Sequence, residues 1–482
     1  MKFWHAKQLG ALFIAGMLTF GIGIISPGIG AKAETNQPGI AVTKVVPTFT
    51  GDSRTTKGFT WYTSLQSVRS DLQLVKKAGK SQPRFDKALR FKGTSYVSSN
   101  SSAEQVHKAE AKGLRPNTEY YYRVGDAKAG IWSKTGIIKT APKKNTAFTF
   151  LELTDPQAKS ESEGELAADT FNQAAATVKN YSFMTVTGDF VDDGTVEPEW
   201  DWLINNSQKV WGNTTVVPAA GNHERKNNAF IDHFNLKPAA SDTNTTGAYY
   251  SFTYSNTHFV VLNTNEDSSQ YRDFTPAQVN WMTSDIKKAK KAGAKWTVVL
   301  IHKGPYTTSN HATDSDIIDT NGVRNQIAPL IGKLGVDLVI QGHDHIYARS
   351  KPINGQNQAT QPTKITEWLN GQAIDYSVNP DGAVYVIPAT AGPKTYKRNT
   401  SPLLGDSFFN MFDRAEENHA LKYGLDPSDP TRPVRGAIQN FAGVTIDNNK
   451  LTVVVYEVDR IKGTAPYVID QFGIVKNSVN QR

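Results

Sequence analysis

The 482-residue sequence predicts an α/β region preceded by an all-β sandwich. Three observations lead there. Between about Val42 and Thr140 the chain is a succession of short alternating runs separated by turn residues, the pattern of a small β-sandwich. From Thr146 onward apolar strands alternate with helical stretches. Five of those strands run into side chains able to bind a metal, so ligands are expected to collect along one rim of a sheet.

At the N-terminus, Lys2 and Lys7 precede an apolar stretch from Leu9 to Ile25, broken by Ser26-Pro27-Gly28 and followed by Ala31-Lys32-Ala33. A basic start, an apolar middle and a small-x-small end make residues 1–33 a secretory signal cut after Ala33. The expected location is secreted, extracellular or associated with the cell wall. An uncleaved anchor is the other reading of so long an apolar stretch, and no second spanning segment is present in the sequence.

Residues 34–41 are polar. The β-rich segment, 42–141, includes Gly58-Phe59-Thr60-Trp61-Tyr62-Thr63 and Tyr120-Tyr121-Tyr122-Arg123-Val124. Its stretch Gly113-Leu114-Arg115-Pro116-Asn117-Thr118-Glu119-Tyr120 resembles the loop-and-tyrosine signature of fibronectin type III domains. Ala141-Pro142-Lys143-Lys144-Asn145 reads as a linker. His107 stands outside any ligand cluster, which leaves it a structural or exposed residue, and the segment is expected to position or tether.

The α/β region, 146–476, opens with Phe148–Thr154, which leads into Asp155. Phe183–Val186 leads through Thr187-Gly188 into Asp189, and Thr214–Ala220 into Gly221-Asn222-His223-Glu224. Trp296–Ile301 ends in His302, and Val336–Gln341 leads into Gly342-His343-Asp344-His345. Between these, Thr275-Pro276 opens a helix as N-cap and first-turn proline. Val279, Met282, Ile286 and Ala289 fall at helical spacing toward the core, with lysines on the other face. Residues 315–334 form a second helical region. Segments 354–382 and 395–436, rich in Gly, Pro, Asn and Asp, read as long irregular insertions and candidate walls of a substrate cleft. Phe441–Ile446, Leu451–Val458 and Tyr467–Val475 are closing strands.

Composition narrows the function. With 38% hydrophobic, 10% aromatic and 20% charged residues, the chain is globular. It has no cysteine, which excludes thiol catalysis, disulfides and cysteine-based metal sites. The net charge of +8 is mild for this length, and three of those charges sit on Lys2, Lys7 and Lys32. Clusters such as Lys287-Lys288 with Lys290-Lys291 fit a solvated helix face, so no nucleic-acid-binding module is expected.

The groups on the five loops are Asp155, Gln157, Asp189, Asp192, Asn222, His223, His302, His343 and His345. Borderline divalent metals accept imidazole and carboxylate together, whereas calcium and magnesium prefer oxygen alone. So many donors exceed the needs of one ion and suit a pair sharing a carboxylate, roughly 3.5–4 Å apart. Two divalent ions, two carboxylates and a hydroxide leave a charge of about +1, a match for an anionic phosphoester. His258, within a strand, reads as a satisfied core histidine, and His233 and His419 as surface or structural.

The order Asp, Gly-Asp-x-x-Asp, Gly-Asn-His-Glu, His, Gly-His-x-His resembles the calcineurin-like metallophosphoesterases. The preceding β segment, with His302-x-x-Pro305-Tyr306 and Gly342-His343-Asp344-His345-x-Tyr347-x-Arg349, is similar to their purple acid phosphatase branch. The resemblance implies a sandwich of two mixed sheets flanked by helices, with two metal ions at one rim. Asp155, Asp189 and His345 would hold the first ion, Asp189 would bridge, and Asn222, His302 and His343 would hold the second. His223 would contact the phosphate and assist the leaving group, and His311 resembles a substrate-side histidine.

The implied function is secreted, dimetal-dependent phosphoester hydrolysis through a metal-bridging hydroxide. The alternative is a catalytically weak surface-binding protein with a phosphatase-like fold. Two positions depart from the pattern. Asp192 stands where purple acid phosphatases carry a tyrosine on ferric iron. Gln157 stands where many other members carry a histidine. The implied ions are therefore divalent manganese, iron or zinc, with Gln157 as an additional candidate ligand.

Overall fold

The computed structural model describes residues 40–477 except 68, 80–81, 144, 225–227, 240–245 and 267–273. Residues 1–33, expected to be a signal, lie outside the described residues. Among the described residues no helix is long and apolar enough to cross a membrane.

Two mixed sheets dominate the structure. A seven-stranded sheet is centred on three parallel strands, Thr257–Val261, Trp296–Ile301 and Leu338–Gln341, with Val384–Pro388 parallel to the last. Every residue of Trp296–Ile301 is buried, which explains a continuous apolar run rather than an alternating one. A twelve-stranded sheet brings Phe148–Leu153, Met184–Val186 and Val216–Pro218 together in parallel. One apolar core lies between the sheets, joining Phe150, Phe183 and Met184 to Phe259, Val298 and Leu338. A second packs helices Pro276–Lys291 and Val323–Lys333 on the outer face of the seven-stranded sheet, through Met282, Ile286, Ile327 and Ile331. Thr275 caps the first of these as expected, its side chain accepting from the Gln278 N–H.

The β-rich N-terminal part has its own core around Phe59, Trp61, Leu72, Tyr120 and Val124. The Tyr120 hydroxyl accepts from the Arg115 N–H at 2.9 Å, tying down the loop singled out in the sequence. His107 is buried, bonded to Thr63 and Ser70, and stacked on Trp61, a structural role.

The chain does not separate into two bodies at Ala141–Asn145. Ala141 and Pro142 are buried, and the twelve-stranded sheet is continuous across both parts. Its strand Thr43–Thr48 pairs in parallel with Val216–Pro218, Thr48 opposite Val216, and antiparallel with Lys57–Ser64. Charge seals the seam. Lys44, fully buried, places its ammonium 2.5 Å from Glu197, 2.7 Å from Asp201 and 3.1 Å from Glu104.

The insertions are more ordered than the sequence expects. Residues 364–378 form a hairpin, Lys364–Leu369 and Gln372–Val378, that extends the large sheet beyond Tyr467–Val475. Its composition hides it because the outer strand is almost wholly exposed and so lacks an apolar face. Within 395–436, Phe412–Ala415 adds an edge strand to the smaller sheet, followed by a short helical turn, Ala420–Tyr423, and a small hairpin.

Candidate metal centre

The five parallel strands end at one rim, and the loops that leave them are sharply bent. Asp155, Gln157, Asp189 and His343 have φ of 50°, 39°, 48° and 73°, a left-handed backbone that non-glycine residues adopt at a cost of about 1–3 kcal/mol each. Hydrogen bonds between the loops hold it. The Asp155 N–H donates to Gly188 O at 3.1 Å, and Gln157 N–H to Asp189 O at 2.9 Å. The His343 N–H lies 3.1 Å from both oxygens of the Asp155 carboxylate. Gly221 must be glycine for a related reason, since a Cβ there would collide with Asp189 Oδ1 and its backbone nitrogen.

Glu224 is the residue whose part the sequence did not disclose. Fully buried, it accepts from the backbone N–H groups of Gly221, Asp189 and Phe190 at 2.5, 3.1 and 2.7 Å. One carboxylate thus sets the turn that presents Asp189. A Glu at the end of Gly-Asn-His-Glu is the available sequence signal.

The donors fall into two groups. Asp155, Asp189 and His345 each offer an atom within 4.8 Å of the others, and so do Asp189, His302 and His343. Asp189 belongs to both. Asn222 Oδ1 lies 3.1 Å from His302 Nε2, which is also 3.2 Å from Asp189 Oδ1. The tautomers are set from behind, because His302 Nδ1 donates to Thr187 O at 2.8 Å and His345 Nδ1 to Lys394 O at 3.1 Å. Their Nε2 atoms therefore face the carboxylates.

His223 Nδ1 donates to Asp192 O at 2.5 Å, and its Nε2 stands 2.7 Å from Gln157 Nε2 and 3.9 Å from Asp189 Oδ2. Gln157 Oε1 is buried and has no partner. The Asp192 carboxylate pairs with Lys394 Nζ at 3.3 Å. His311 stacks on His343, ring centres 3.9 Å apart, and pairs with Asp314 at 2.6 Å. Tyr396 closes the same side, 4.7 Å from the His345 ring.

The electrostatics call for positive charge. Burial pushes the Asp155 carboxyl up to about 7, against the pull of His302. Burial works against the His302 cation, but Asp189 outweighs it and lifts His302 to about 9. His343 and His345 are driven well below the usual histidine range by burial and by neighbouring cations. The imidazoles of His343 and His345, held neutral beside buried carboxylates, are a donor set that fits divalent cations. A separate acidic group, Glu104, Glu197 and Asp201, already has its cation in Lys44.

Comparison with known proteins supports the same reading. Residues 148–347 match the calcineurin-like phosphoesterase family, and residues 42–140 the purple acid phosphatase N-terminal domain. Purple acid phosphatase 21 of Arabidopsis thaliana is 25% identical over 298 residues, covering 60% of this chain and 63% of that relative. An uncharacterised protein of Mycobacterium tuberculosis is 26% identical over 333 residues, covering 62% of this chain and 60% of its own. These matches span less than two thirds of either relative. A purple acid phosphatase from yellow lupin (Lupinus luteus) seeds shares the fold, with a TM-score of 0.65 at 16% identity over 91% of this chain and 75% of that one.

Proposed function

From a chain that belongs to the calcineurin-like phosphoesterases, in their purple acid phosphatase-like branch, we infer a dimetal phosphoester hydrolase. The observation that carries this reading is Asp189, shared by two ligand groups that otherwise have no member in common. Asp155, His345 and the unpaired Oε1 of Gln157 would serve one ion, and Asn222, His302 and His343 the other. When bound, two divalent ions supply charge against the phosphoryl oxygens and make water acidic enough to act as nucleophile at neutral pH.

The protein's own groups do the rest. His223, with Nδ1 held by the Asp192 carbonyl, presents Nε2 on the Asp189 side, where it can pass a proton to the departing ester oxygen. His311, fixed by Asp314 against His343, stands ready to hold a phosphoryl oxygen. Glu224 and the Thr187 and Lys394 carbonyls orient what touches the substrate.

The remaining parts of the proposal are organisational. Residues 1–33 act as an export signal, 42–141 form a fibronectin type III-like domain, and 146–476 form the catalytic domain, giving a secreted enzyme. The test is elemental analysis of protein from its native host, with assays on 4-nitrophenyl phosphate and its bis-ester. Two equivalents of manganese, iron or zinc with hydrolysis of either ester is expected. Metal-replete protein that cleaves neither ends the reading.

A further inference from the structure

A second cleft, of about 280 Å³, lies between the hairpin that extends the large sheet and the edge strand Phe412–Ala415 of the smaller one. None of the candidate metal donors lines it. It is a separate place with its own chemistry.

One wall is a single face of that hairpin. Side chains alternate along a strand, and Thr366 stands opposite Asp375 as Trp368 stands opposite Ala373, so Lys364, Thr366, Trp368 and Asp375 share a side. Phe472, opposite Asp375 on the next strand, and Asp470 continue that face. The other face of the hairpin packs Ile374 and Tyr376 against Val475. Packing is thus served from the far side, and Trp368 is left 79% exposed, the most of any large apolar side chain among the described residues. A lone exposed apolar residue is ordinary. What marks Trp368 is the polar cleft on its own face, because an indole is a rigid, flat contact surface that loses little entropy when covered.

The charges in the cleft cancel. Its cations are Arg349, Lys364 and Arg414, and its carboxylates are Asp375, Asp413 and Asp470. Arg349 pairs with Asp470 at 2.7 Å and Asp413 at 2.9 Å, Arg414 with Asp470 at 3.7 Å, and Lys364 with Asp375 at 3.9 Å. No charge is left over to select an anion or a cation. Lys364, Asp375 and Arg414 are nonetheless exposed, so donors and acceptors stand side by side within reach. Such a wall suits a neutral ligand dense in hydroxyls, each of which both gives and takes a hydrogen bond. A sugar ring has those hydroxyls at its rim and an apolar C–H face that lies flat on an indole. The cleft has the room, since about 150 Å³ already takes up a six-membered ring.

We propose that this cleft binds a neutral polysaccharide. One sugar ring stacks on Trp368, and its neighbour in the chain is hydrogen-bonded by Asp375, Lys364 and Arg414. The contact holds the protein on a glycan surface and leaves the metal centre open. Binding needs no metal chemistry, so it stands apart from the hydrolase reading.

The full-length protein is titrated calorimetrically with cellohexaose, N-acetylated chitohexaose and maltohexaose, as wild type, Trp368→Ala and Asp375→Ala. Both side chains are exposed, so both variants are expected to melt with the wild type and to keep its rate on 4-nitrophenyl phosphate. At least one of the three sugars should bind the wild type, with affinity falling roughly tenfold or more in Trp368→Ala and roughly threefold or more in Asp375→Ala. Binding of none of them, or equal binding by all three proteins, would overturn the proposal. So would a parallel loss of ester hydrolysis in Trp368→Ala, which would make the cleft part of the metal site. The rival occupant is a second copy paired along the open strand Lys364–Leu369. A dimer seen by sedimentation without sugar and lost in Trp368→Ala would replace the glycan with that copy.

Discussion

At Asp189 a single side chain faces both ligand groups, so one substitution bears on both ions. Asp189→Asn removes the shared charge, and turnover is expected to drop about 10²-fold or more, with metal content falling toward one equivalent. Near-normal rate at saturating metal would place the chemistry elsewhere. Gln157 gives a finer test. Its amide nitrogen lies against His223 with Oε1 buried and unpaired, and Gln157→His should tighten the more weakly held ion, seen as slower loss to chelator. Unchanged affinity would mean that the amide serves His223 alone. Residue 192 is an aspartate, paired with Lys394, and so has no phenolate to offer iron; the purified protein is expected to lack a visible tyrosinate–iron band. At this scale the sequence was highly legible. Asp155, Asp189, His302, His343 and His345 each follow an apolar strand, and the structure brings them together at one rim. Glu224, Lys394 and Tyr396 were not legible. Glu224 acts on backbone N–H groups, while Lys394 and Tyr396 lie beyond the strand Val384–Pro388 in a stretch that no periodicity connects to the site.

Among the elements, strand Lys57–Ser64 contains a costly residue. Lys57 is fully buried; its ammonium donates to Thr215 Oγ1 at 2.6 Å and lies 3.7 Å from the centre of the Phe49 ring. Among the described residues no carboxylate within 4 Å pairs with it, and burial holds the ammonium well below the usual lysine range. The unfolded chain keeps the proton up to about pH 10.4, so between the depressed value and that point it binds more protons than the folded protein, and stability rises with pH. Lys57→Met should remove that slope and add about 1–3 kcal/mol near neutrality, measured by denaturant unfolding across pH. A variant less stable than wild type at every pH would show the ammonium to be well solvated by Phe49 and Thr215. Strands buried on both faces could be found from their apolar runs, and helix Pro276–Lys291 from its cap. The exposed hairpin Lys364–Leu369 with Gln372–Val378 could not, because an edge strand facing solvent on both sides has no hydrophobic pattern to show.

Across the molecule, the continuous sheet makes the N-terminal part structural support for the site. Asn100 Nδ2 donates to Gly194 O at 2.7 Å, and the Gly194 N–H to His223 O at 2.8 Å, so the β-rich part reaches the loop that carries His223. Residues 146–477 alone would bare the edge of Val216–Pro218 and leave Glu197 without Lys44. Expressed by themselves they are expected to aggregate, and a soluble, cooperatively melting fragment would contradict this. Composition pointed to two domains because each part has its own pattern of runs. The strand exchange between them is a long-range pairing with no local signature. It also imposes an order in time. A ribosome adding roughly 5–20 residues per second makes Thr43–Thr48 about 170 residues before its partner strand, so that edge stands open for roughly 10–30 s. On the export reading, a chain threading a translocation pore would spend that interval with a sticky strand exposed, and holding it apart would be work for a chaperone at the exit side.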